Sequence, residues 1–464
     1  MKASSDRVTR RIFLKTGGAV AAATGLAGCT TPYYRANSSA KPIPSQGKVV
    51  VVGAGFAGIG ASERLLEAGY QVELLEARDR IGGRVATKSL GGFPADLGAT
   101  WLRPYNNQLL GFAQDQGLIG APTDFADVSA LGNGQKQKID VGEAQARFEG
   151  SLALPYLKFK TQEFLGGDPR SPSLEAIFDG QLEQAGVEGC LFRRMLESAA
   201  ANELKAVSGA VFFESGGTSE LLAEPTVVGG MSALLDALAQ RSQPQFGEMV
   251  QVISRTADGV RVRTDKRVID ADAVIVTAPV SVLQKGLITF EPELPEGHRR
   301  ALSHLEMGTF AKLWIRYPAG SWESGSALVV DCDSSRIDLV FDFQQTHGLP
   351  ILLGGAAGPR GAVMESLSDA EAMQILHEDL QRMFGKKLPP PTDFVMNRWG
   401  RDPLAGGCYA AYTPEFRPSD AACLREPIAE RILLAGDAYP EQNSGYVDGA
   451  WGDGRRAAGL LISV

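Results

Sequence analysis

The feature that most constrains this chain is an unbroken strand, glycine turn, helix and second strand early in the sequence. Lys48–Val52 is a short apolar run rich in β-branched residues, as a parallel strand buried on both faces requires. It runs straight into Gly53-Ala54-Gly55-Phe56-Ala57-Gly58, and a helical pattern continues through Ala68. Gly69 punctuates the helix, and Gln71 to Leu75 form a second strand that finishes at Glu76. The three glycines do different things. Gly53 permits the tight turn, Gly55 lets backbone approach a pyrophosphate, and Gly58 allows close helix packing. The helix N-terminus offers free N–H groups to phosphates, and Glu76 can accept hydrogen bonds from a ribose. The unit specifies a parallel α/β sheet that binds a dinucleotide. By itself it does not choose between flavin and nicotinamide.

With 464 residues, the chain is long enough for two or three domains. Its formal charge of −8, with no basic run beyond the N-terminus, argues against nucleic-acid binding. His298, His304, His347 and His377 are scattered without zinc-ligand spacing, so no metal is expected. The five cysteines lie far apart and do not suggest a disulfide framework. No G-x-S-x-G elbow supports a serine hydrolase.

The N-terminus reads as an address. Thr9-Arg10-Arg11-Ile12-Phe13-Leu14-Lys15 resembles a bacterial twin-arginine export signal, and an Ala- and Gly-rich stretch from Gly17 to Gly28 follows. That stretch is shorter than the roughly 20 apolar residues of a membrane span. Leu26-Ala27-Gly28-Cys29 resembles a lipobox. The expectation is a signal peptide over 1–29, a flexible tether over 30–47 and export by the twin-arginine machinery. The protein would lie on the periplasmic side, with its membrane attachment at the lipidated Cys29.

The segment from Leu75 to Arg84, LEARDRIGGR, closely resembles the flavin-containing monoamine oxidase and polyamine oxidase family. The likeness recurs at Leu97-Gly98-Ala99-Thr100-Trp101, at Val228 to Met231, at Val250 to Ile253, at Asp272 to Pro279, at Arg431 to Asp437 and at Gly445 to Ala450. It implies FAD as the cofactor. Gly82, Gly83 and Arg84 would lie along the flavin and pyrophosphate, with Arg78 near the adenosine. Thr100 and Trp101 belong to a second flavin contact, Val252 lies on a strand facing adenine, and Gly436 and Asp437 approach the ribityl chain.

The implied fold is a two-domain α/β architecture of the p-hydroxybenzoate hydroxylase type. A discontinuous Rossmann-like FAD domain (48–90, 226–300 and 396–464) would interleave with a mixed α+β substrate domain (91–225 and 301–395). The region from Ala144 to Glu224 would shape the pocket entrance. Catalytic roles are implied for Lys312 beside the flavin and for Tyr409 and Tyr446 on either side of the substrate, with Trp399 extending the wall. Cys408, in Gly406-Gly407-Cys408-Tyr409, matches the covalent FAD attachment point of monoamine oxidases. The expected reaction oxidises an amine to an imine, which hydrolyses, with oxygen or another acceptor taking the electrons. The alternatives are an L-amino-acid oxidase, for which Arg103 is a displaced candidate carboxylate ligand, and an amine dehydrogenase serving a periplasmic carrier.

Overall fold

The computed structural model describes residues 41–103, 107–132, 134–214, 223–332, 336–440 and 443–462. The expected signal peptide, Cys29 and most of the expected tether lie outside the described residues.

A five-stranded parallel sheet has the order Ile432–Leu434, Ala273–Val276, Lys48–Val52, Gln71–Glu76, Gln245–Phe246. Its central strands are buried on both faces, so they read as continuous apolar runs. One face is covered by helix Phe56–Glu67 and the terminal helix Val447–Leu461. These helices approach through glycines: a Cβ on Gly454 would lie 1.9 Å from the Ala57 carbonyl, and one on Gly60 would lie 2.4 Å from that of Trp451. A four-stranded sheet (Val268–Ala271, Val260–Thr264, Val250–Arg255, Thr289–Glu291) packs on the other side.

The second layer is a seven-stranded mixed sheet, ordered Asp393–Met396, Phe310–Arg316, Ile351–Ala357, Leu339–Asp342, Leu328–Asp331, Asp127–Gly132, Gln135–Asp140. Strand Phe310–Arg316 shows how it positions chemistry. Ala311, Leu313 and Ile315 pack on one side with Leu376 and Leu380 of helix Asp369–Phe384. The period-2 alternation of a strand therefore sends Phe310, Lys312 and Trp314 to the opposite face, toward the dinucleotide domain. That helix is fixed by a capping box between Ser368 and Glu371 and ends at Gly385 with φ +62°.

Two expectations are corrected. Cys190 and Cys332 form a disulfide across 142 residues, tying helix Gly186–Ala200 to the end of strand Leu328–Asp331. Cysteines scattered in sequence are brought together by packing, which their spacing does not encode. The tether also ends before Gly47. Ile43 is fully buried in the core beside the terminal helix, and its N–H donates to the Leu461 carbonyl at 2.9 Å.

Candidate active site

A cavity of about 870 Å³ runs between the two layers, from the Gly53 turn to Lys312, Tyr409 and Tyr446. At its dinucleotide end, Gly53 (φ +99°) turns the chain, and its N–H donates to the Leu75 carbonyl at 2.7 Å. Gly58 packs against that turn, where a Cβ would stand 1.8 Å from the Gly53 carbonyl oxygen. Gly55 is different. A Cβ there would meet one protein atom, the Gly82 carbonyl, at 3.7 Å, so the space above it belongs to the cavity. Gly55 also N-caps helix Phe56–Glu67, which has no side-chain cap and no acid in its first turn. An uncapped helix start under open space fits a pyrophosphate. Buried Glu76 accepts from Ala54 N–H (2.8 Å) and Arg78 N–H (2.9 Å), so its carboxylate braces the glycine loop from the ribose position.

Farther in, Arg84 makes a two-pronged ion pair with Asp437 (2.5 and 2.9 Å) and donates to the Cys408 carbonyl at 2.8 Å. This joins three segments that are 324 and 353 residues apart in sequence. Lys312 is buried, and its Nζ donates to the Gly98 carbonyl (2.6 Å) and Thr100 Oγ1 (2.5 Å), 4.9 Å from the Trp101 ring centre. Burial pushes Lys312 down to about 8, opposed by the buried carboxylate of Asp96. Burial in turn raises Asp96 to about 6. Two of the ammonium's three positions are spent on protein, and the third is left over. Tyr409 donates to the Ser198 carbonyl and packs with Phe310. Tyr446 lies under the Arg103 guanidinium, 3.8 Å from the ring centre, and its oxygen accepts from Arg103 at 3.0 Å.

The family model described as flavin containing amine oxidoreductase matches residues 56–462. The chain belongs to this family. It is an FAD-dependent amine-oxidising enzyme. It is 28% identical to polyamine oxidase 4 of Oryza sativa, covering 88% of this chain and 87% of that one. Similar identity, 28%, relates it to the AofH protein of Mycobacterium tuberculosis, named for a flavin-containing monoamine oxidase, with 90% and 96% covered. The lysine-specific histone demethylase 1 homolog 2 of Arabidopsis thaliana is 29% identical, but the chain spans 59% of its length. A putrescine oxidase structure bound to putrescine superposes with a TM-score of 0.75 at 20% identity, covering 89% and 98%.

Within this amine oxidoreductase, the cavity wall includes Gly53, Gly55, Glu76, Arg78, Gly82, Gly83, Arg84, Thr100, Trp101, Lys312, Cys408, Tyr409, Gly436, Asp437 and Tyr446. Arg78 is tied to Asp402 at 2.9 Å. Gly58 serves packing, as its place in the glycine turn implies, and one expected contact is absent from the wall: Val252, where Val250 and Gln251 stand instead. An irregularity in strand register between Val250 and Val252 separates Val252 from the cavity-lining pair. Trp399 lines the cavity and donates to the Leu97 carbonyl at 2.8 Å.

Other wall residues were not singled out from sequence: Phe192, Leu196 and Phe212 on helices, Glu224, and Asn397. Asn397 accepts from Lys312 N–H (2.7 Å) and donates to the Phe310 carbonyl (3.0 Å), which fixes the strand that presents the lysine. Arg103 lines the cavity, where it is engaged by Tyr446 and by Asn443 at 3.2 Å. Burial pushes the nearby Glu224 up to about 7 despite Arg103. The start of the terminal helix is also already occupied in part. The Asp448 carboxylate stands in its first turn and accepts from Asn443 Nδ2 at 2.6 Å, so an anionic group already faces part of this positive end.

Proposed function

We propose that this enzyme oxidises a primary or secondary amine to an imine that hydrolyses to an aldehyde or ketone, with oxygen reduced to hydrogen peroxide. The observation that carries this reading is that buried Lys312, Tyr409 and Tyr446 line one cavity with an uncapped helix start and a glycine turn. When bound, FAD supplies the two-electron acceptor for hydride from the substrate α-carbon. The residues of this chain do the rest. The Gly53 turn and the start of helix Phe56–Glu67 hold the phosphates, and Arg84 and Asp437 face the middle of the cavity. Tyr409 and Tyr446 present aromatic walls that exclude water and orient an amine. Lys312, lowered by burial, keeps one Nζ position for a proton near the reacting end. Activity should rise with pH through ionisation of the bound amine, because the protonated form has no lone pair to form the C=N bond as hydride leaves the α-carbon.

Two finer readings accompany this one. Cys408, in the cavity wall, is the attachment point for covalent FAD. The Arg10-Arg11 pair and Cys29 direct export and lipid anchoring on the periplasmic side. Export by a route that carries folded proteins suits an enzyme that takes up FAD before it leaves the cytoplasm.

The central test is an anaerobic screen of amines and amino acids for bleaching of the bound flavin, followed by readmission of oxygen with peroxide detection. Bleaching by amines with stoichiometric peroxide is expected. Bleaching by α-amino acids alone, or no reoxidation by oxygen, overturns the amine-oxidase reading.

A further inference from the structure

Helix Val141–Phe164 carries an apolar face that is uncovered among the described residues. Leu154, Leu157, Phe164 and the following Leu165 are 58%, 51%, 75% and 77% exposed. The opposite side is ordinary core: Phe148 and Leu152 are buried with Phe178 and Phe192, and Phe159 is buried as well. At about 100° per residue, the exposed four and Thr161 fall within roughly a third of the helix circumference, which makes one stripe of them. Between Ser151 and Gly167 the sequence has one carboxylate, Glu163, and it is buried and paired with Lys160 at 2.5 Å. Lys158 is exposed beside the stripe. An apolar stripe flanked by an exposed lysine, with no exposed carboxylate between Ser151 and Gly167, is the pattern of a helix lying at a lipid surface.

We propose that this face docks on the surface of an anionic lipid bilayer. The inference draws on the reading of Cys29 as a lipid-bearing residue, and the path of the chain supplies the link. Just beyond the stripe, Asp168 accepts from Ser419 (3.0 and 2.6 Å) and Arg170 pairs with Glu415 at 2.8 Å. The same segment continues to Glu430 and Arg431, which hold Lys41 at 2.8 and 3.1 Å. The described chain thus begins on the segment that braces the apolar tip. From Cys29 to Lys41 the backbone can reach roughly 40 Å when extended, so a lipid at Cys29 stays tethered to the segment that braces the apolar tip. No described helix is long and apolar enough to cross a membrane, so contact through this element is interfacial. A single acyl-type anchor holds marginally and a second signal makes it stable, and this face supplies that second signal.

The experiment compares two full-length, FAD-loaded proteins, Cys29→Ala and Cys29→Ala with Leu157→Gln, Phe164→Glu and Leu165→Glu. Both are co-sedimented with vesicles of phosphatidylethanolamine and phosphatidylglycerol, and both are run by sedimentation velocity without lipid. The N-terminal stretch is common to the two. The substituted protein should partition at least tenfold less while keeping its flavin and its sedimentation coefficient. Equal partitioning overturns the proposal. So does a dimer of the Cys29→Ala protein that the three substitutions dissolve, since a second copy would then own the face. Failure of the lipidation reading is separate: it is seen as membrane release of wild type and Cys29→Ala alike in cell fractionation, whatever the vesicles report.

Discussion

Substituting Gly55 and Gly58 by alanine, one at a time, separates cofactor space from protein packing within four residues of chain. At Gly58 the new Cβ would lie 1.8 Å from the Gly53 carbonyl oxygen and 2.9 Å from its carbon. Neither atom can rotate away, so the helix must retreat from the turn by well over an ångström. Overpacking of this kind costs about 1–3 kcal/mol, and it moves the phosphate loop as well. At Gly55 the backbone is already extended (φ −83°, ψ −174°), and the Cβ makes an ordinary 3.7 Å contact. An Ala N-cap is worse than Gly by about 0.5–1 kcal/mol. The loss of unfolded-state freedom returns about 0.4–1 kcal/mol. The apoprotein should therefore melt within a degree or two of wild type, while the methyl group occupies pyrophosphate space and weakens FAD binding at least tenfold, about 1.4 kcal/mol. Thermal melts of flavin-free protein and fluorescence titration with FAD, both in a Cys408→Ala background so that the cofactor can be removed, read the two quantities apart. Gly58→Ala should lose both. Unchanged FAD affinity in Gly55→Ala, or a melting point lowered as far as in Gly58→Ala, refutes the reasoning.

Lys312→Met removes the donor to Gly98 and Thr100 and should slow flavin reduction or reoxidation tenfold or more with FAD retained; stopped-flow rates equal to wild type in both half-reactions remove Lys312 from the mechanism. Because the folded state lowers Lys312 from 10.5 to about 8, it binds fewer protons than the unfolded chain in that window, so stability should rise from pH 8 to 10.5. Asp96, raised from 3.8 to about 6, binds more, so stability should fall across that lower window; urea midpoints in which Lys312→Met keeps the upper rise contradict the assignment. Burial pushes the Cys408 thiol up to about 12, and it donates to the Gly308 carbonyl at 3.2 Å, so thiolate is scarce at neutral pH and increases tenfold per pH unit. Covalent attachment should accelerate accordingly, measured as flavin that pellets with acid-precipitated protein, and vanish in Cys408→Ala; free FAD in the wild-type supernatant at every pH rules the bond out. Cys190→Ser should lower the melting temperature, since the 142-residue separation corresponds to about 5 kcal/mol in the chain-entropy model, and dithiothreitol should reproduce the loss in wild type; a melt indifferent to both shows that the bridge does not form.

The two halves of the site were unequally legible, and the reason is physical. The cofactor end is made of backbone brought close to a ligand, and backbone approach demands glycine at fixed spacing. Gly53, Gly55 and Gly58 therefore announce themselves within six residues, with Glu76 at the end of the next strand, whereas Gly82 and Gly83 follow from the family resemblance. Val252 stands one residue past the cavity-lining pair Val250 and Gln251, in a stretch where the strand register shifts, and such a shift is not encoded in hydrophobic alternation. The substrate end is made of side chains delivered by packing. Phe192, Leu196 and Phe212 read as ordinary helical core, and nothing local marks Glu224 as a wall residue. Lys312 stands between the two cases. Its role came from resemblance, but its direction follows from Ala311, Leu313 and Ile315 needing the opposite, helix-covered side.

The same distinction bears on selectivity. Helix Gly186–Ala200 contributes Phe192 and Leu196 to the cavity and is fastened by Cys190–Cys332 and by Arg194 to the buried Asp338 at 2.7 Å. Tyr409 hydrogen-bonds the Ser198 carbonyl on this same helix. The aromatic wall is thereby coupled to an element whose position depends on partners more than 140 residues away. Changes that reshape the choice of amine can therefore lie in this helix and its fastenings, while the glycine framework that holds the cofactor stays as it is.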